Sequence, residues 1–255
     1  MSSLTIGCIV FGCVFGGALL GMLLRNVLPE DHLTQDSRDV VKLGIGFIGT
    51  MAALAIGLLV SSAKGSFEKQ SDELKQAAAN LILVDRVLAQ YGPETKDIRD
   101  LMRQSVVRNL DLVWPEESSR AAKPGDPGTA PARVENIEEG IRALVPHSDL
   151  QRALQSQALQ LTTEEARLRW LLFGQIGQGS IPRPFLVLLV AWLAIIFTTF
   201  GLLAPRNSTV VVVLLLCSLS ASGALFLILE MDQPFQGWLK ISSAPLHYAL
   251  AHVGQ

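Results

Sequence analysis

The chain has 255 residues, 49% of them hydrophobic and 17% charged, with a formal net charge of −2. This length accommodates one or two domains. The balance of 21 Lys/Arg against 23 Asp/Glu excludes the basic excess with which a protein grips nucleic-acid phosphates.

The charges are unevenly placed, because 16 Lys/Arg and 17 Asp/Glu fall between Lys64 and Pro184. Residues 4–24 carry no charge and stop at Arg25. Twenty residues at the α-helical rise cross a hydrocarbon layer of about 30 Å, so this run predicts a first transmembrane helix. Met1-Ser2-Ser3 offers no basic leader and the run is long, so a retained span is expected rather than a secretory signal. Gly12/Gly16 and Gly17/Gly21 are two pairs of small residues four apart, the spacing that lets helix backbones approach closely in lipid. Cys8, Cys13 and Cys217 all lie in apolar runs and predict buried small hydrophobes, with no disulfide framework.

Residues 25–39 are polar and hold Glu30, Asp31, His32, Asp36 and Asp39. Carboxylates and imidazole can ligate a cation, but the spacing matches no metal-binding loop. A solvated segment is expected there, with Asp36 capping the next helix. Residues 43–63 form the second span, bracketed by Lys42 and Lys64. Along it Gly46, Thr50, Ala53, Gly57 and Ser61 recur at three- and four-residue steps and share one narrow stripe, with Phe47, Met51, Leu54 and Leu58 expected opposite. Such a stripe either packs against another helix or lines a pore that must stay open.

The charged segment from 64 to 183 reads as helical. Phe67, Leu74, Leu81 and Leu88 recur every seven residues, and Gly92-Pro93 breaks that helix. Ile98, Leu101, Met102, Ser105 and Leu110 mark a second helix up to Trp114-Pro115. Residues 116–133, rich in proline and glycine and without a large aliphatic residue, predict a mobile loop. Val134, Ile137, Ile141 and Leu144 mark a third helix, and Ser148-Asp149 starts a fourth with Leu150, Leu154, Leu161, Leu168 and Leu172 on one face. Trp170 and Phe173 suit a membrane surface. Pro184 then opens two further uncharged runs, 185–204 and 210–229, joined by Pro205-Arg206-Asn207-Ser208. A turn this short predicts an antiparallel hairpin. Glu230 and Asp232 follow at the boundary, where a carboxylate beside an apolar run is a functional candidate. Residues 246–253 predict a short helix lying on the bilayer or on the charged domain.

Four blocks carry a family resemblance: Arg169-Trp170-Leu171-Leu172-Phe173; Ser180-Ile181-Pro182 with Pro184-Phe185-Leu186; Gly201-Leu202 with Ala204-Pro205-Arg206-Asn207-Ser208-Thr209; and Glu230, Asp232, Pro234-Phe235 and Gly237 followed by Ile241-Ser242-Ser243-Ala244-Pro245-Leu246. Together with Asp36-Ser37-Arg38-Asp39, Lys42-Leu43-Gly44, Gly57-Leu58-Leu59 and Ala63-Lys64, they resemble the signature blocks of the bacterial bestrophin-like family of membrane proteins. The resemblance implies four spans around a cytosolic helical domain, an analogy with anion channels, and a pentamer lined by the second span. The sequence departs from bestrophin channels at one place. Those narrow at aromatic and aliphatic side chains four apart on that helix, where this chain has only Phe47, Met51 and Ala55.

The expected fold is an all-α membrane protein of four transmembrane helices in two hairpins, with a helical cytosolic domain between helices 2 and 3. Its parts are residues 1–63, 64–183, 184–232 and a cytosolic tail, 233–255. Lys64, Lys69, Lys75, Arg167, Arg169, Arg183 and Lys240 outnumber Arg25, Arg38, Lys42 and Arg206, so both termini and the charged domain are expected in the cytoplasm of a multi-pass protein of the bacterial inner membrane. No hydrolase elbow, zinc-protease helix or phosphate loop is present, and no cofactor or metal is implied. The spans hold no midplane charge for coupled transport. Their hydroxyls, at Thr50, Thr198, Thr199, Ser218, Ser220 and Ser222, either face a pathway or bond their own helix. Four helices enclose no wide pore alone, so a channel requires a ring of copies. The expected function is a passive, anion-conducting homo-oligomer, with Gly46, Thr50, Ala53, Gly57 and Ser61 lining the pore, small inorganic ions as cargo and the lipid bilayer as surroundings. The alternative is a non-conducting scaffold that binds a partner through its cytosolic helices.

Overall fold

The computed structural model describes residues 2–27, 35–115, 130–175, 181–205, 207–235 and 237–254, with backbone alone at 130–135, 169–175 and 183. Among these residues lie eight α-helices: α1 (Ser3–Leu24), α2 (Gln35–Tyr91), α3 (Lys96–Val113), α4 (Ala130–Arg142), α5 (Asp149–Gln175), α6 (Arg183–Leu203), α7 (Ser208–Met231) and α8 (Ala244–His252). No strand occurs among the described residues. α1, α2, α6 and α7 are long and apolar enough to cross a membrane. Their backbones satisfy their own polar groups, as a lipid environment demands, and the protein is an all-α membrane protein.

The helix ends follow local chemistry. Ser2 caps α1, its side chain accepting the Thr5 N–H at 3.3 Å, and Asn207 caps α7 by accepting the Val210 N–H at 2.9 Å. Pro184 sits in the first turn of α6, where a missing N–H costs nothing. α2 is the main departure from expectation. The second span and the heptad helix are one unbroken helix of 57 residues, about 86 Å long at 1.5 Å per residue. Gly65 does not interrupt it: an interior glycine costs about 1 kcal/mol relative to alanine, and packed residues flank it at Ala63 and Gln70. Asp36 lies in the first turn of α2, where its charge meets the helix dipole, rather than at the cap. Gly92, at φ +143°, ends the helix as expected, and Thr95 in the following 3₁₀ turn donates its hydroxyl to the Leu88 carbonyl at 2.7 Å.

The chain divides into two compact units. The first holds Met1–Phe67 and Gly179–Leu239. Here α1 packs along α6 and against α7. It buries Gly7, Val10, Val14, Ala18 and Gly21, while Leu4, Ile9, Leu20 and Leu23 point outward. Small residues inside and large aliphatics outside suit a helix solvated by lipid. A Cβ on Gly21 would strike the Thr198 carbonyl, one on Gly201 would strike the Ala18 carbonyl, and one on Gly17 would lie 2.8 Å from the Thr198 hydroxyl. Gly17, Gly21 and Gly201 therefore let two backbones touch. Gly12 and Gly16 face open space. Arg25 donates to the Ala204 carbonyl at the end of α6. Cys8, Cys13 and Cys217 are free and exposed, which corrects the expectation of burial. They lie on the outward faces, where a thiol is apolar enough for lipid.

The second unit holds Glu68–Gln178 and Lys240–Gln255. Leu74, Leu81 and Leu88 of α2 are buried, as are Met102, Val106 and Leu110 of α3, Ile137 and Ile141 of α4, and Leu154, Ala158 and Leu168 of α5. α4 packs against both α3 and α5, and α8 packs on α3 through Leu246 and Ala249. Leu150 is exposed, contrary to its expected place on the buried face, because it stands in the opening turn of α5, before the packed stretch begins. Ser148 starts α5 by accepting the Gln151 N–H at 3.1 Å, and Gln151 accepts the His147 N–H at 2.8 Å. α4 opens at Ala130, inside the expected loop. Residues 116–129 of that loop, Glu30, Asp31 and His32, and the Trp170 and Phe173 side chains lie outside what is described.

Candidate functional site: the outward face of α2

The buried line of α2 within the first unit is Ala52, Ala55, Leu59 and Ala63, flanked by Ile45, Ile48 and Ile56. Gly46, Thr50, Ala53, Gly57 and Ser61 are all exposed. At about 100° per residue, the two lines stand roughly 160° apart around the helix. The small stripe is therefore not the surface by which α2 packs in its own unit. A Cβ built on Gly46 or Gly57 meets nothing within 4 Å. Phe47, Met51, Leu54 and Leu58 are exposed too. They form a bulky ridge about a quarter turn from the stripe, not opposite it as the spacing alone suggested. Ala55, by contrast, is buried, so Phe47, Met51 and Ala55 do not share one exposed face.

The stripe has little polarity to offer. Thr50 donates its hydroxyl to the Gly46 carbonyl at 2.8 Å. Thr198, Thr199, Ser218, Ser220 and Ser222 likewise donate to carbonyls three or four residues back, at 2.6–3.0 Å. Each hydroxyl proton is engaged within its own helix, leaving only oxygen lone pairs to face outward.

Glu230 is 3% exposed, and its position has a specific cause. Its Oε2 accepts the Trp238 N–H at 2.5 Å and lies 3.4 Å from the Leu239 nitrogen. Gly237, at φ +113°, turns the backbone so that these amides converge, and a Cβ there would strike the carboxylate. The acid thus ties the end of α7 to the turn that follows it. Asp232 is buried beside it in sequence, as the C-cap of α7.

A second carboxylate site lies in the charged unit. Asp85 is 1% exposed and takes a two-pronged bond from Arg99, Nε to Oδ1 at 2.7 Å and Nη2 to Oδ2 at 2.9 Å. The Gly254 N–H joins Oδ2 at 3.2 Å, so one side chain ties α2, α3 and the C-terminal segment. The hydrogen bond to Asp85 raises the Arg99 pKa above its ordinary value, against the lowering effect of burial. This pair was missed in the sequence, although Asp85 stands between Leu81 and Leu88 on the heptad face. Asp36 and Asp39 bring no third ligand together: among the described residues no cluster of three metal-ligating side chains forms. Asp39 instead pairs with Lys42 at 2.8 Å.

Comparison with solved structures aligns the chain with a bacterial bestrophin homologue from Klebsiella pneumoniae in two single-substitution forms. One is 12% identical with a TM-score of 0.65, the other 14% identical with a TM-score of 0.52, and each alignment covers 94% of this chain and 97% of that one. At this identity the likeness concerns the fold. Comparison with curated proteins gives no match. The model of the bestrophin-like domain matches residues 12–246, which takes in the latter part of α1, all of α2, α6 and α7, and the charged unit as far as Leu246. The chain belongs to the bestrophin-like family.

Proposed function

We propose that the chain is one subunit of a passive ion channel, assembled as a homo-pentamer in the bacterial inner membrane and conducting anions. The observation that carries this reading is the outward stripe Gly46, Thr50, Ala53, Gly57 and Ser61, which the subunit leaves unused in its own packing. In a ring of copies that stripe lines the axis. Its small, uncharged side chains keep a path open without binding an ion too tightly to release it. The membership in the bestrophin-like family supports a channel-like activity.

The proposed layout has two hairpins, α1 with the first half of α2 and α6 with α7. Residues 64–183 form a cytosolic helical domain, residues 233–255 a cytosolic tail, and both termini are cytoplasmic. The excess of Lys and Arg beside that domain supports this orientation. Glu230 and Asp232 then stand at the cytoplasmic boundary, where Glu230 shapes the mouth through the turn it holds.

The rival is a non-conducting scaffold, and one observation favours it: the Thr50 hydroxyl proton is committed to the Gly46 carbonyl instead of facing a passing anion. Gly57→Trp separates the two readings. If the stripe lines an axis, the indole blocks chloride flux into liposomes while the assembly keeps its mass. If the stripe packs copies together, the same change breaks the oligomer. Absence of both chloride and potassium flux from intact wild-type oligomer, across voltage and calcium, rejects the channel.

A further inference from the structure

The first unit holds an apolar groove of about 710 Å³ between α2, α6 and α7. Ile45, Phe200 and Val213 are among its walls, and Gly49 gives it depth, since a Cβ there meets nothing within 4 Å. Among the described residues that line it, only Lys42 and Thr209 carry a polar side-chain group. Lys42 stands at one end, directly outside the apolar run that begins at Leu43. Arg38 lies one turn before it, and Arg38, Lys42, Ile45 and Gly49 follow one line along the helix. Arg38 Nε is buried without a hydrogen-bond partner among the described residues. Lys42 is paired with Asp39, yet its side chain is 60% exposed, so its ammonium remains open to another acceptor.

A cavity with an alkyl-lined body, a lysine at one end and an arginine one helical turn beyond it matches an amphiphile with an anionic head. The helices around it are those that cross the membrane, so lipid is the solvent from which it fills. A guanidinium and an ammonium one turn apart on the same helix suit the several oxygens of a phosphate better than the flat edge of a carboxylate. We propose that this groove binds one acyl chain of a phospholipid, whose phosphate is held by Arg38 and Lys42. Asp39, on the other side of Lys42, faces any ammonium on the same headgroup. Gly46 lines this groove and also opens the proposed pore stripe, and phospholipid retention is read apart from ion flux.

The test uses the full chain purified in mild detergent, washed extensively and analysed by native mass spectrometry with phosphorus quantification. Wild type is expected to retain about one phospholipid per chain. Gly49→Trp, which fills the groove, should lose it. Arg38→Gln with Lys42→Gln, outside the apolar run, should keep the oligomer's mass and weaken phospholipid binding about tenfold or more, the effect of losing charge-assisted bonds. Titration with a short-chain phosphatidylglycerol, the matching diacylglycerol and inorganic phosphate identifies what is recognised. Tight binding of the first alone supports the site. Equal binding of the diacylglycerol overturns the phosphate assignment, and equal binding of inorganic phosphate overturns the acyl one. Wild-type protein without phospholipid, or Gly49→Trp retaining as much as wild type, overturns the proposal, as does a cross-link between copies through Val213→Cys.

Discussion

A buried carboxylate next to a membrane span invites a functional reading, and Glu230 shows how such a group also serves the backbone. Its oxygen takes the amide of Trp238 in a turn that only glycine at 237 can make. Glu230→Ala leaves that amide without a partner and should lower thermal stability in detergent by about 1–3 kcal/mol. Glu230→Gln keeps an acceptor oxygen and should lose less. An unchanged melting temperature for Glu230→Ala would show that the turn holds without the acid. Asp85 gives the sharper contrast, because its loss removes both oxygens that hold the Arg99 guanidinium. Asp85→Asn should destabilise the charged unit by roughly 3–5 kcal/mol, the cost of breaking a buried pair from one side. The pH dependence has a definite sign. The folded-state pKa of Arg99 is raised, so the pair's contribution from this group is complete below the ordinary arginine value and is lost only as pH climbs past the raised one. Across neutral and mildly alkaline pH the melting temperature should therefore not fall through Arg99. A steep loss between neutral pH and mild alkali that Arg99→Lys moves would contradict this.

Among the elements, α1 offers a control built into its own sequence. Gly21→Leu and Gly201→Leu each drive a side chain into the facing backbone and should cost about 1–3 kcal/mol or more through overpacking. Gly16→Leu points into open space and should leave the melt unchanged. Equal effects at the three positions would dismiss the α1–α6 contact. The same helix shows what the sequence conveys. Both glycine pairs of α1 have the spacing of a helix contact, but spacing cannot tell which side meets a neighbour. That is decided by where α6 presents Gly201 and Thr198. The four apolar runs were legible because twenty uncharged residues have few other uses, and Arg25 and Pro184 marked two of their ends, whereas the caps at Ser2 and Asn207 emerged only with the hydrogen bonds they accept. The stripe of α2 was legible as a stripe, while its outward direction was not, since alanines and leucines on the other side supply the packing. Asp85 was readable as an acid among leucines. Arg99, its partner fourteen residues on and beyond a chain reversal, was not. The join between the second span and the heptad helix was obscured by Gly65, whose small penalty is easily outweighed.

At the scale of the whole molecule, the proposed topology and assembly can be measured directly. The exposed native cysteines must first be replaced by alanine, because labelling would otherwise report Cys8, Cys13 and Cys217. In that background, Ser208→Cys should label from outside intact cells and Ser119→Cys only after permeabilisation. The reverse pattern overturns the orientation. Mass measurement in nanodiscs should give five copies, and a monomer would remove the channel reading. The charged unit is sensitive to the length of α2 within it. Leu74, Leu81 and Leu88 are buried along one line of unbroken α-helix within that unit. A single alanine inserted after Ala78 turns Leu81 and Leu88 by about 100° away from the side on which Leu74 packs, and two turn them by about 200°. Folding yield of the charged unit should accordingly collapse with one inserted residue, like a gear slipping a tooth, and an unchanged yield would show that this line carries no packing.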